Sequence, residues 1–503
     1  MVSISKSTFL HFQMCPKDTW LRLHRSDFAE KFAPTDFDKH LMEEGNEVEI
    51  HARQLFPSGV MVSATGDAAL EQTRQLIDAG TSAIFQATFL ADGFYTKCDV
   101  LKPSAGAGSW DIYEIKGTNS RKEGSEDRDH ISDLAFQKRV LTLAGIKIGR
   151  VFIVHLNKEY VRAGALDLPA LFTVADSTDL VEKVMPDIIR EMDAAREYLN
   201  QDNEPGIGCD CHLYGRSRHC RTFSYSHPYV PEYSVHDIAR IGASKKKLEE
   251  LVSKRIFAID DVPDDFKLSD TQALQVRAHK SKQPIIVETG IAELLAGYTF
   301  PLYFLDYETY APAIPSFDGF SPYRRIPFQL SLHVLHDDGS EPEHVEFLHP
   351  ERSDPTLAVA ELLGHHIGPE GSVVVWSAPF ERGVNKEIAQ RLGGDHAAYL
   401  EGINSRMQDL RDVFAKQHYV HPEFRGGTSI KDVLPVMAPE LTYDGMAIRD
   451  GTMASERWWA MTADGTAAEE RAAIAVALLA YCKQDSYAMF AIWRKLQDHL
   501  AGR

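Results

Sequence analysis

Asp306 and Glu308 lie two positions apart in the apolar run from Pro301 to Tyr310. The run is rich in aromatic and branched residues, which favours a buried strand. Because side chains two apart on a strand point to the same side, both carboxylates are expected on one face. Two buried acids are unfavourable unless something neutralises them, and a divalent cation is the obvious candidate. The pair predicts a metal site suited to cutting phosphodiester bonds.

Three further residues of the C-terminal half extend this site. Glu381 follows the strand-like run Ser372 to Trp376 and opens a helical stretch, so it is expected near a strand end, where α/β folds usually place sites. Tyr481 and Asp485 are four apart in a long predicted helix and share one face. Two metals about 3.5–4 Å apart can activate a water and stabilise the leaving oxygen. Tyr481 would orient that water or help to deprotonate it.

A second acidic set lies in the N-terminal half. Asp99 closes one strand-like run, and Glu114 and Lys116 share a face on the next. This set predicts Mg²⁺ or Mn²⁺ on the two acids, with Lys116 steadying or helping to activate the attacking water. Gln137 on a following helix would position that water or the substrate backbone, and Glu47 on an earlier helix would add a ligand. The alternative is a pair of ordinary strands whose acids face solvent.

Length and composition bound the elements that must position these residues. A chain of 503 residues holds about two to four domains. A hydrophobic share of 44% and a charged share of 25% are typical of globular proteins. The net charge of −19 argues against nonspecific coating of DNA, although a local basic channel is compatible with it. No run approaches the roughly 20 apolar residues of a membrane span, and the first residues lack the plan of a secretion signal. We expect a cytoplasmic protein without a membrane partner.

The pattern along the chain predicts an α/β protein in three parts. Residues 1–225 mix helical stretches with strand-like runs, and residues 226–297 are polar, helical in pattern and punctuated by proline, as in a connector. From residue 298 onward, apolar strands are followed by helices, and a long helix is predicted over Ala467 to Leu500.

The C-terminal motifs, Asp306-x-Glu308, Glu381 and Tyr481-x-x-x-Asp485, resemble the DEDD 3′–5′ exonucleases of the tyrosine-bearing subtype. The resemblance covers roughly residues 300–500 and implies a ribonuclease H-like fold. The second motif of that family usually reads Asn-x-x-x-Asp, whereas Ser377 and Glu381 hold those positions here.

The glycine-containing segment from Arg425 to Pro435 is also similar to the substrate side of that family, and Lys431 is expected to contact a phosphate. A turn that feeds a helix capped by Thr428 or Ser429 is the alternative.

The N-terminal set resembles the RecB-like branch of the PD-(D/E)XK nucleases, which includes the CRISPR-associated Fe–S exonucleases. The matching pieces are the helical Glu47, then Asp99, Glu114-x-Lys116 and Gln137. The branch usually has a tyrosine four residues after the glutamine, where this chain has Leu141.

Four of the six cysteines bracket this region, with Cys15 near the N-terminus and Cys209, Cys211 and Cys220 far downstream. The resemblance implies that they hold a [4Fe–4S] cluster, for which thiolates are suitable ligands. Several histidines lie nearby, so zinc competes, and unliganded cysteines are a third alternative.

Together the two resemblances point to an uncharacterised bacterial family that pairs a RecB-like nuclease with a ribonuclease H-like exonuclease domain. We therefore expect a metal-dependent nuclease that acts on DNA, single-stranded or with free ends, in repair or defence. One alternative is a nucleic-acid binding or regulatory protein in which one or both sites have decayed. The other is an exoribonuclease that uses the C-terminal site only.

Overall fold

The computed structural model describes residues 2–105, 108–122, 129–243 and 245–502. The chain folds as two compact units, which are described separately. Unit 1 comprises Met1–His212, Ser217–Pro228 and Pro312–Tyr323, and unit 2 comprises Leu213–Arg216, Tyr229–Ala311 and Arg324–Arg503. Each unit combines helices with a mixed sheet, which confirms the α/β prediction.

Unit 1 is built around one mixed sheet. Its strands are β1 (Ile4–Ser5), β2 (Val60–Met61), β3 (Ile84–Ala91), β4 (Phe94–Pro103), β5 (Trp110–Lys116), β6 (Ile148–Leu156) and β7 (Phe172–Asp176). Its helices are α1 (Lys6–Met14), α2 (Pro16–His24), α3 (Asp36–Arg53), α4 (Asp67–Asp78), α5 (His130–Leu143), α6 (Leu168–Leu171), α7 (Thr178–Leu199) and α8 (Phe223–Ser226).

The sheet of unit 1 runs in the order β2-β3-β4-β5-β6-β7, and β1 also pairs with β4. The central strands alternate between two apolar clusters, because successive side chains of a strand point to opposite faces. On β5, Ile112 packs in the cluster that holds Phe136 of α5, whereas Ile115 packs in a second cluster with Val154 of β6. Glu114 has the same parity as Ile112, so the strand directs its carboxylate toward α5.

Unit 2 has a larger set of elements. Its strands are β8 (Ile285–Ile286), β9 (Leu302–Tyr310), β10 (Ile326–Leu335), β11 (Glu343–Leu348), β12 (Ser372–Val375), β13 (Met407–Asp409) and β14 (Tyr419–Val420). Its helices are α9 (Lys245–Ser253), α10 (Asp270–Ser281), α11 (Glu288–Leu295), α12 (Thr356–His366), α13 (Ala378–Leu392), α14 (Gly394–Ser405), α15 (Asp412–Ala415), α16 (Ile430–Met437), α17 (Gly451–Met461) and α18 (Ala468–Leu500).

The main sheet of unit 2 runs in the order β11-β10-β9-β12-β13. Strands β9, β10 and β11 pair antiparallel, whereas β12 is parallel to both β9 and β13. On β9, Phe304 packs with Trp493 of α18, and Leu305 packs on the opposite face with Val384 of α13. Alternation therefore places Asp306 on the face that α18 covers.

The segment 226–297, predicted as a connector, encloses an apolar cluster of its own. Val235, Ile241 and Leu251 are fully buried there and pack with Val276 of α10. Among the described residues, no helix has the length and apolar character that crossing a bilayer requires.

Candidate functional sites

The first candidate site lies where β4 and β5 of unit 1 separate. Their ladder is paired at Val100 and Tyr113, and the next donor along β5, the amide of Ile115, donates to Oδ2 of Asp99 at 2.8 Å. Asp99 is thereby fixed beside Glu114, whose carboxylate is only 2% exposed. The structure thus brings together the two acids that the sequence analysis selected.

Glu114 is the centre of a buried polar network. Lys116 donates to its Oε1 at 2.8 Å, and Gln137 donates to its Oε2 at 2.7 Å. Asp133, one helical turn before Gln137, accepts from both of these residues. Lys6 of α1 is the second amine at Oε1, at 2.7 Å, and lies 3.3 Å from Asp133. Sequence analysis did not assign Lys6 or Asp133 to the site.

The glutamate that α3 contributes is Glu49 and not the predicted Glu47. Glu47 is exposed, whereas Oε1 of Glu49 accepts from Gln86, whose amide also donates to Oδ1 of Asp99 at 3.2 Å. Two positions correspond to about 200° on a helix, so the two glutamates face opposite sides. Arg53 pairs with Glu49 one turn further along α3.

Because this site is buried, the pKa values of its side chains depend strongly on the charges of their neighbours. Burial raises the pKa of Asp99 to about 8, and the carboxylate of Glu114 adds to that rise. Burial alone would lower the pKa of Lys116, but the carboxylates of Asp133 and Glu114 outweigh it and raise that pKa. Burial opposes ionisation of Asp133, yet Lys116 and Lys6 hold its pKa well below the usual range. The positive charges of Lys116 and Lys6 therefore stabilise the ionised carboxylate of Asp133 in this network.

A cavity of about 320 Å³ adjoins Lys116 and Asp133. Its other walls include the apolar side chains of Leu10 and Met14 and the ring of Tyr323. The Tyr323 hydroxyl donates to the carbonyl of Gly117, the residue that follows β5. Carboxylate, amine and apolar surface thus meet around a space large enough for part of a nucleotide.

The second candidate site, in unit 2, gathers acids from three separate elements. Asp306 and Glu308 come from β9, Glu381 from the first turn of α13, and Asp485 from α18. Burial raises the pKa of Asp306 well above its ordinary value, and the carboxylates of Asp485, Glu308 and Glu381 raise it further. The other three predicted acids therefore all act on Asp306, but the group of ligand atoms within 4.8 Å of one another consists, among the described residues, of Asp306, Glu308 and Cys482.

Two tyrosines contact Asp485. The hydroxyl of Tyr443, which sequence analysis did not select, donates to Oδ1 of Asp485. Burial raises the pKa of Asp485 to about 6, and hydrogen bonds from Tyr443 and the predicted Tyr481 counteract that rise. Cys482 is fully buried, and its Sγ lies 3.5 Å from Oδ2 of Asp306.

The hydrogen bonding of the buried Glu381 carboxylate is incomplete. The residue is 4% exposed, and its Oε2 has no hydrogen-bond partner among the described residues. Burial raises its pKa to about 8, and the neighbouring Asp409 carboxylate adds to the effect. A buried unsatisfied oxygen costs about 1–3 kcal/mol.

Gln137 of the first site also has a buried Oε1 without a partner in the described structure. Both orphan oxygens suit a ligand that supplies positive charge or a hydrogen bond.

Lys431 lies at the start of α16, which Ser429 caps in a reciprocal pair with Asp432. The capped helix described as an alternative in the sequence analysis is therefore present. The Lys431 amine also stands 5.9 Å from the ring centre of Tyr481 and lowers the pKa of Asp485 after burial has raised it. Lys431 therefore belongs to the first turn of α16, and its amine faces the acidic site.

The four cysteines of unit 1 converge. The Sγ atoms of Cys15, Cys209, Cys211 and Cys220 all lie within 4.8 Å of one another, and those of Cys209 and Cys220 are 3.7 Å apart. Cys15 caps α2, and Asp18 in the first turn of α2 accepts from the amide of Thr222 at 2.9 Å. This buried bond fixes the Cys220 loop against the helix that carries Cys15.

The donor set fits a metal centre. Four thiolates are ligands for either zinc or an iron–sulfur cluster. Zinc–sulfur bonds of about 2.3 Å place tetrahedral sulfurs about 3.8 Å apart, close to the observed 3.7 Å between Cys209 and Cys220. A [4Fe–4S] cluster, in which each sulfur binds a different iron, requires a wider spacing of the four thiols.

Comparison with known proteins covers part of the chain. Residues 303–429 match a family described as a domain of unknown function (DUF2779). The match includes Asp306, Glu308 and Glu381, whereas Tyr481 and Asp485 lie beyond its end.

Two curated relatives are similar over less than half of the chain. The uncharacterized protein UU173 of Ureaplasma parvum is 26% identical over 223 residues, which is 41% of this chain and 31% of the relative. The uncharacterized MG366 homolog of Mycoplasma pneumoniae is 24% identical over 246 residues, which is 45% of this chain and 37% of the relative. The aligned part spans about a third of the length of each relative.

Proposed function

We propose that this protein is a divalent-metal-dependent nuclease that hydrolyses phosphodiester bonds of DNA. The observation that carries the proposal is the Glu114 network of unit 1. Asp99 and Glu114 would hold Mg²⁺ or Mn²⁺, for which carboxylate oxygens are suitable ligands. The bound ion would supply charge stabilisation for the phosphodiester and lower the pKa of a water.

The protein's own residues have distinct tasks in this proposal. Lys116, held by Glu114 and Asp133, presents its amine beside the cavity, where it can orient the attacking water against the phosphate. Gln137 donates hydrogen bonds to the carboxylates of Glu114 and Asp133, and its free Oε1 can accept a hydrogen bond from that water. The apolar cavity wall fits an unpaired base, which favours single-stranded DNA or a free end as substrate.

In unit 2 we propose a second, exonucleolytic site of the DEDD type on a ribonuclease H-like domain, and in unit 1 a RecB-like nuclease domain. Support in unit 2 comes from Asp306 on the face of β9 that α18 covers, and from the carboxylates of Asp485, Glu308 and Glu381, which all raise its pKa. Tyr481 is within reach of Asp485 to orient a water. Repair or defence against foreign DNA is the proposed setting.

The cysteines are proposed to hold a metal centre that ties α2 to the Cys209–Cys220 segment. The resemblance to the Fe–S exonucleases favours a [4Fe–4S] cluster. The sulfur spacing favours zinc as the competing occupant.

The test is cleavage of fluorescent single-stranded DNA with Mg²⁺ or Mn²⁺, comparing the wild type with Glu114→Gln and Asp306→Asn. Each variant should silence one site, with a loss on the order of 100-fold or more in that activity, and the double variant should be inactive. Wild-type protein without cleavage under either metal would contradict the enzyme proposal in favour of a binding protein with decayed sites.

A parallel assay on RNA separates the remaining alternative. If Glu114→Gln leaves all activity intact and RNA is the preferred substrate, the protein is an exoribonuclease that uses the unit 2 site only.

A further inference from the structure

Lys6 is a second lysine in the unit 1 site, and neither resemblance assigns it a role. It is the first residue of α1, and its side chain is 25% exposed. Its amine nevertheless points inward, to 2.7 Å from Glu114 and 3.3 Å from Asp133.

The Glu114 carboxylate has about four acceptor sites, and three of them are occupied by hydrogen bonds. Its Oε1 accepts from Lys6 and Lys116, and its Oε2 accepts from Gln137. Oε1, which lies between Lys6 and Lys116, has no remaining site, so a divalent ion that binds this oxygen must displace one of the two amines.

Of the three donors, Lys6 has the weakest contact with Asp133. Lys116 and Gln137 each have a second bond to Asp133, whereas Lys6 makes a longer, 3.3 Å contact with that residue. Lys116 also lies on the paired strand β5, while Lys6 follows a strand of two residues, β1.

The charge balance of the site also indicates that Lys6 is the donor that a metal ion would displace. Glu49 is neutralised by Arg53, which leaves Asp99, Glu114 and Asp133 facing the amines of Lys6 and Lys116. Metal binding requires ionised carboxylates, so in the metal-bound form three negative charges face the two amines. Adding a divalent cation would leave one positive charge in excess, and release of Lys6 restores neutrality. Buried uncompensated charge is strongly unfavourable.

We propose that the amine of Lys6 occupies the cation position between Glu114 and Asp133, and that a divalent metal ion and this amine exclude each other. Lys6 is thus a built-in competitor whose displacement accompanies metal binding. This inference rests on the proposed function, because it assumes that Glu114 binds the metal.

The first test measures Mn²⁺ binding by the EPR signal of free Mn²⁺, using EDTA-treated protein of all 503 residues that carries Asp306→Asn to silence unit 2. Lys6→Met, which keeps the length and removes the charge, should bind Mn²⁺ about tenfold more tightly. Lys97→Met is the matched control, because Lys97 lies exposed on β4, and it should leave the affinity unchanged. Equal or weaker binding by Lys6→Met would overturn the competition.

The second test uses the wild-type chain and does not depend on whether a variant folds. Acetylation of lysines by acetic anhydride, followed by mass spectrometry, should label Lys6 several-fold faster with saturating Mn²⁺ than without it, while Lys97 is unchanged. Mn²⁺ binding without faster labelling of Lys6 refutes the inference alone. Absence of Mn²⁺ binding in the Asp306→Asn protein and in its Lys6→Met derivative refutes the proposed metal site itself.

Discussion

Tyr443 donates a hydrogen bond to the carboxylate of Asp485, although 42 positions separate them in the sequence. The tyrosine lies between α16 and α17, and the acid lies on α18. The bond favours the ionised form of an acid that burial would otherwise keep protonated.

Removing this bond should make metal binding in unit 2 more sensitive to acid. The pKa of Asp485 is about 6, and Tyr443→Phe should raise it because the hydroxyl stabilises the carboxylate. More of the acid is then protonated at pH 6, and metal binding requires the deprotonated form. Mn²⁺ affinity, measured in a Glu114→Gln background, should fall several-fold at pH 6 and much less at pH 8.

Tyr487→Phe is the control for Tyr443→Phe, since Tyr487 packs against His333. An equal loss of affinity at both pH values would show that Tyr443 acts through packing and not through the ionisation of Asp485.

Asp133 should be a positioning residue for Lys116. Asp133→Asn removes the charge that holds the Lys116 amine, so cleavage attributable to unit 1 should fall about tenfold or more. Asp187→Asn is the control, because Asp187 is exposed on α7 and does not line the cavity. Unchanged cleavage by a folded Asp133→Asn protein would remove Asp133 from the site.

Glu381 should destabilise the metal-free protein at high pH. Its folded-state pKa of about 8 lies above the ordinary 4.5, so the folded protein holds this proton more tightly than the unfolded chain does. The resulting contribution to the free energy of unfolding is complete below pH 4.5 and is lost as the pH rises through 8. Glu381→Gln should raise the free energy of unfolding at pH 8.5 by on the order of 2–4 kcal/mol and have little effect at pH 4.5.

Urea unfolding of EDTA-treated protein measures this difference, and Glu361→Gln on the exposed face of α12 is the control. A gain that is equal at both pH values would mean that the glutamine improves packing and does not relieve a buried charge.

The cysteine site should contribute both metal content and stability. Cys211→Ser should lose the bound metal and lower the melting temperature, because the Cys209–Cys220 segment would lose its link to α2. Cys98→Ala is the control for metal content, since Cys98 packs in the apolar cluster of unit 1 and lies outside the four-cysteine group. Metal analysis of the wild type should give about four irons with a broad visible band for a [4Fe–4S] cluster, or one zinc without colour. Metal content unchanged by Cys211→Ser would exclude this site.

The parts of the sites that sequence predicted are those fixed by local periodicity. A spacing of two on a strand was sufficient to pair Asp306 with Glu308 and Glu114 with Lys116. Both pairs lie on the faces that α18 and α5 cover, as alternation requires.

The residues that sequence analysis missed depend on distant segments. Lys6 reaches Glu114 across 108 positions, and Tyr443 precedes α17 without any motif of its own. The sequence predicts Glu47 where the structure has Glu49, because tertiary packing determines which face of α3 is turned toward the sheet. Spacing alone does not define which of two nearby glutamates faces Asp99.

The assignment of Pro312–Tyr323 to unit 1 has a consequence for biosynthesis. These residues follow β9, so the ribosome makes the first strand of the unit 2 main sheet before unit 1 has all of its chain. The Gly117 carbonyl next to Lys116 lacks its Tyr323 partner until then. A nascent chain that ends at residue 225 would therefore lack the Tyr323 side of the cavity wall, and unit 1 has all of its residues only after β9 has been synthesised.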